Sequence, residues 1–134
     1  MKAFSIKQPW IDAILYGGKG PENRSWPLPA KYVGVPVLLH SSAALDRRAV
    51  LPAGVDTSGW PGVRGAILAQ ATFTGCHLDA GCCELWGQRH VFHWQPADIH
   101  VLPEPVPAKG ALQFWTPAPD ILAAVHEQLG AVAR

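Results

Sequence analysis

"SIKQPW" (Ser5 to Trp10) and "KGPENRSW" (Lys19 to Trp26) each set a lysine and a tryptophan beside side-chain amides, with one short helical pattern between them. Upstream, Ala3 to Lys7 predicts a strand with Phe4 and Ile6 on one face. Pro9 suits the first turn of a helix, where a missing N–H costs nothing. Trp10, Ile11, Ile14 and Leu15 recur at helical spacing, and Gly17-Gly18 stops the pattern. Glu22 to Trp26 reads as a short extended segment. This order places a polar cluster on each side of one helix, which is the layout of a site and not of a plain core.

Outward from that start, Pro27, Pro29 and Gly34 punctuate a loop, and "VPVLLH" (Val35 to His40) is an apolar strand. Ser41 or Ser42 is placed to N-cap a short helix through Val50. "LPAGVDTSGWPG" is a loop by composition. Arg64 to Cys76 alternates Ile67, Ala69, Ala71 and Phe73 against Gln70, Thr72 and Thr74, a long half-buried strand. Arg89 to Trp94 and Ile99 to Leu102 are short strands, "PEPVPAKG" is a turn, and Ala111 to Trp115 is the last strand. Asp120 to Val132 closes as a helix with Ile121, Val125 and Leu129 on one stripe. The prediction is a single α+β domain over residues 1–134. It is a small twisted β-barrel with an N-terminal helix after the first strand, a short middle helix and a C-terminal helix.

The formal net charge of +1 excludes a protein that coats nucleic acid by bulk charge, though not a local basic patch. No apolar run approaches the roughly 18–20 residues of a membrane helix, and "MKAFSIKQPW" lacks the apolar core of a signal peptide. The expected location is the cytoplasm, with no membrane partner. Cys76, Cys82 and Cys83 are read as free thiols. Neither metal nor cofactor is expected. Cys76-His77, Cys82-Cys83 and His90/His93 include no C-x2-C pair, adjacent cysteines seldom share one tetrahedral ion, and on a strand His90 and His93 face opposite ways.

The opening clusters carry the candidate chemistry. A helix N-terminus attracts anions, and Lys7 beside it adds a full charge; Gln8 serves there as a ligand contact or simply as a cap. Trp10 is a base-stacking wall, worth about 1–3 kcal/mol in single-strand binders, or a core residue. If residues 22–24 are extended, Glu22 and Arg24 share a face and Asn23 points the other way. Arg24 suits phosphate, while Glu22 and Asn23 suit a base edge. The competing structural account is an ion pair of Glu22 with Arg24 or Lys19. Trp26 divides between core and cleft wall. His40 and Ser41 end an apolar strand, where ligand contact competes with structural roles.

The combined run resembles the signature half of an ASCH domain, a branch of the PUA-like β-barrels. The residues that carry the resemblance are Gln8-Pro9-Trp10, Gly17-Gly18-Lys19 and Glu22-Asn23-Arg24-Ser25-Trp26, then His40-Ser41-Ser42. "GAILAQATFTGC" and "KGALQFWTP" resemble the family's central and closing strands. The resemblance implies a PUA-like fold that handles nucleic acid. The partner expected from it is RNA or single-stranded DNA, including a modified base turned into a cleft, contacted by Lys7, Gln8, Trp10, Lys19, Glu22, Asn23, Arg24, Trp26, His40 and Ser41. The alternative is a small hydrolase of an acylated nucleoside amide, or a ribonuclease, with Lys19 and Glu22 as catalytic residues in the same cleft. Lys19 matches the lysine of the family's small deacetylases, whereas Glu22 stands where they carry a threonine.

Overall fold

The computed structural model describes residues 1–132. Along the chain run β1 (Ala3–Gln8), α1 (Trp10–Tyr16), β2 (Glu22–Arg24), a 3-10 turn (Ala30–Tyr32), β3 (Pro36–Leu45), β4 (Ala66–Leu78), β5 (Phe92–Pro107), β6 (Phe114–Trp115) and α2 (Pro119–Val132). The strands form one six-stranded mixed sheet in the order β2-β5-β4-β3-β1-β6. β1 lies parallel to β3, and the remaining pairs are antiparallel. The α+β class is therefore as expected. The hydrogen-bonded ladder ends at β2 and at β6 and does not close into a barrel among the described residues. No helix there is long and apolar enough to cross a membrane.

The sheet buries residues on both faces, as the two-residue period of a strand requires. Phe4, Ile6, Val37 and Leu39 pack with Ile11 and Ile14 of α1; Ala3 and Leu38 pack with Val125 of α2. On β4 the expected single stripe breaks. Ile67 belongs to the α2 side, while Ala69, Ala71 and Phe73 belong to the α1 side. The change of parity falls at the register shift between Ile67 and Ala69, where a bulge re-aims the side chains that follow.

Two expectations about elements need correction. The middle helix from Ser41 or Ser42 does not form, because β3 runs on through Leu45. Ser41 pairs with Ile6 and Ala66 in the sheet and Leu45 with Gln8, so these backbone groups are spent in the ladder. The Ser41 hydroxyl donates to the Val63 carbonyl instead of capping a helix. The second correction starts the expected Arg89 to Trp94 strand only at Phe92 and runs it on through Ile99 to Leu102 as one strand, β5, that also absorbs much of the "PEPVPAKG" turn. β2 covers only Phe92 to Trp94, so Pro96, Pro103, Pro105 and Pro107 sit where one side of β5 is an open edge and a missing N–H costs little. Bulges take up the rest of the mismatch: Ile67 pairs with Val106 but Ala69 with Val101.

Candidate functional site

β1, β2, the far half of β3 and residues 107–113 enclose a cleft of about 1130 Å³. Small-molecule sites run to roughly 300–1,000 Å³, so a nucleotide-sized ligand has room. Both opening clusters reach it. Lys7 and Trp10 contribute from the end of β1 and the start of α1, and His40 from β3. Lys19, Glu22, Asn23 and Arg24 contribute from the glycine stop and the strand after it.

The floor is a charged triplet. Lys19 and Glu22 are each only 4% exposed. Lys19 Nζ donates to the Pro21 carbonyl and lies 3.5 Å from Glu22 Oε1. Arg24 pairs with Glu22 Oε2 through Nε at 2.9 Å and a terminal nitrogen at 2.8 Å, and that nitrogen also donates to the Ser5 carbonyl. The guanidinium lies 4.5 Å over the Phe4 ring. Burial pushes the Lys19 ammonium below lysine's ordinary value, against the opposing pull of Glu22. Both ion pairs of the structural account therefore exist, and they exist on the surface of a cleft. Asn23 points the other way, as the strand period requires. Its amide donates to the Trp86 carbonyl and accepts from the Gln88 N–H, which brings Gln88 to the cleft wall.

Trp10 forms part of a wall, with its indole N–H donating to Asp46 at 2.7 Å and Lys19 Nζ 5.9 Å from the ring centroid. His40 is buried in a relay. Trp115 Nε1–H donates to the Ser5 hydroxyl, Ser5 donates to His40 Nδ1, and His40 Nε2–H donates to the Ala108 carbonyl at 2.7 Å. The carbonyl can only accept, so the neutral Nε2–H tautomer satisfies every member. Burial also draws the His40 pKa below its usual value. Gly110 fits against this ring because it has no side chain. A Cβ there would stand 2.6 Å from His40 Nδ1 and 2.8 Å from Ser5 Oγ.

Three candidate residues lie outside the cleft. Gln8 is buried: its carbonyl oxygen accepts the Asp12 N–H and its amide donates to Val63, so it occupies the start of α1 where an anion was expected. Ser41 is spent on Val63. Trp26 packs edge-on against Trp94 at 4.7 Å, half-buried against the core and away from the cleft. The sequence reading missed Lys109, Leu112 and Gln113 on the opposite wall. "KGALQF" carried a signal in its glycine and in Leu112, an apolar residue left 91% exposed.

No family model and no curated protein matches the chain.

Proposed function

We propose that this chain is an ASCH-type, PUA-related domain of the cytoplasm that binds single-stranded RNA or DNA by taking one base, a modified base included, into the cleft beside α1. The carrying observation is convergence. Lys7, Trp10, Lys19, Glu22 and Arg24 come from two sequence clusters and share one concave surface. The family reading is supported by the order of the motifs: strand, Q-P-W helix start, glycine stop with lysine, E-N-R-S-W segment, and a strand that carries His-Ser-Ser.

The division of labour follows from burial. Lys19 is too enclosed to meet a backbone phosphate and Arg24 is held by its pair with Glu22, so the three present donors and acceptors to a base edge. Lys7 and Lys109 at the rim are the cations for phosphate. Trp10 supplies an aromatic wall and exposed Leu112 an apolar edge. Two phosphate contacts give a shallow salt dependence, log K falling with log salt at a slope of about −1.4 on single strands. Lys7→Ala and Lys109→Ala are each expected to reduce that slope by about 0.7. The measurement is fluorescence anisotropy of short labelled oligonucleotides across a salt series. A folded protein that binds none of them at low salt ends this reading.

One observation favours a second reading, hydrolysis of an acylated nucleoside. Lys19 is a buried amine of lowered pKa beside a carboxylate, a pairing that polarises an amide or moves a proton. The same preparation is to be tested on a panel of acylated nucleosides. Turnover that disappears in Lys19→Met supports hydrolysis; an untouched panel removes it.

A further inference from the structure

A second group of reactive side chains lies behind the cleft wall, where β4 ends and β5 begins. We propose that His77, Cys82, Cys83 and His93 form a tetrahedral zinc site that ties residues 79–91 to the sheet. The expectation of no metal rested on sequence spacing, and the fold overrides that spacing. His77 and His93 are register partners across β4 and β5, their rings edge to face at 5.2 Å. His90 is not on the strand at all. The loop between the histidines swings both thiols back over them, with Cys83 at φ 66° reversing the backbone so that adjacent cysteines reach the same point.

The four donor atoms lie within 4.8 Å of one another. His77 Nε2 is 3.1 Å from Cys82 Sγ and 3.4 Å from Cys83 Sγ, and Cys82 Sγ is 3.8 Å from His93 Nδ1. Zinc at about 2.3 Å from sulfur and 2.0 Å from nitrogen spaces its ligands roughly 3.3–3.8 Å apart. The two sulfurs, 2.7 Å apart, must separate, and the wider pairs, up to 4.8 Å, must draw in; Cys82 is on the surface with freedom to turn.

Two independent features point the same way. His93 is completely buried, and its Nε2–H donates to the Gln88 carbonyl at 2.7 Å. An imidazole so anchored turns its other nitrogen, with its lone pair, toward the thiols, the tautomer a metal needs. Secondly, residues 79–91 contain no buried side chain. A segment with no apolar core of its own is held by cross-links, and the Asp79 carboxylate accepts from the Gly81 and His90 N–H groups. Two thiolates and two neutral imidazoles select zinc over magnesium or calcium, and four protein ligands leave no open position, so the role is structural. Binding releases the thiol protons to water. Through Asn23, which holds Trp86 and Gln88, the ion would also steady one wall of the cleft.

The test needs no nucleic acid and no enzymatic activity. The 134-residue chain purified with reductant and without chelator is expected to carry one zinc per chain by elemental analysis. Chelation is expected to lower the melting temperature by several degrees, reversed by zinc and not by magnesium. Cobalt substitution is expected to give thiolate charge-transfer and intense tetrahedral d–d bands. Cys82→Ser and Cys83→Ser lie on a loop without buried residues, so they keep the native circular dichroism and lose stoichiometric metal. The proposal is overturned by a reduced protein that takes up no zinc, by a Cys82–Cys83 disulfide that persists under reductant, or by unchanged stoichiometry in both variants.

Discussion

Glu22→Ala is expected to lower the free energy of unfolding by about 3 kcal/mol, the range for breaking a buried ion pair from one side. Glu22 serves two cations at once, and the two differ in their ability to escape. Arg24 has a side chain 27% exposed and can relax into the cleft. Lys19 cannot, since it is 4% exposed and would keep only the Pro21 carbonyl. The loss should carry a pH signature. Lys19 holds its proton less tightly folded than unfolded, so the unfolded chain binds more protons between the lowered folded value and the ordinary 10.5, and stability rises with pH through that window. Below the folded value the full cost of the buried charge remains. Glu22 raises the folded value, so deleting it widens the window downward, and the deficit of Glu22→Ala should shrink as pH increases. Urea unfolding at several pH values from neutral to alkaline measures this. A deficit that is absent, or constant with pH, would show that Glu22 is not compensating a buried lysine.

The same residues show what was legible in the sequence. "ENR" declares its alternation locally, so the Glu22–Arg24 pair and the opposite heading of Asn23 follow from the two-residue period alone. The "QPW" start and the Gly17 stop of α1 are likewise local signals. What was not legible depends on pairing between distant strands. Ser41 has a cap's chemistry, and only its place between Ile6 and Ala66 makes it a strand residue. Four prolines argue against a strand at Pro96 to Pro107 unless the edge beside them is known to be open. The opposite cleft wall at Lys109 to Gln113 and the His77–His93 pair arise from long-range register, which no spacing in the chain announces. The polar hollow was foreseeable because both halves of it flank one helix; the thiol cluster was not, because its halves meet through β4 and β5.

Trp94 joins these two regions and is the single core residue whose loss should cost most. It is wholly buried, with ring centroids 4.7 Å from Trp26, 5.2 Å from Phe4 and 5.4 Å from Phe73. Its indole N–H donates to the Trp26 carbonyl at 3.1 Å. Trp94→Ala is expected to destabilise by about 4 kcal/mol, combining lost burial with a cavity that these stiff rings cannot collapse to fill. The consequence reaches past the core. Residue 94 is the register partner of Glu22 on one side and Cys76 on the other, and among the described residues β2 is hydrogen-bonded into the sheet only through β5. A hollow beneath Trp94 therefore loosens the strand that holds Glu22 and Arg24 in place. In Trp94→Ala the Lys19–Glu22 contact is already weakened, so adding Glu22→Ala should cost less than its effect alone. The double-mutant cycle should depart from additivity by more than about 0.5 kcal/mol, the limit for sites that do not communicate. Sums that agree within that limit, measured by denaturant unfolding of all four proteins, would mean that the floor of the cleft is held independently of the aromatic core.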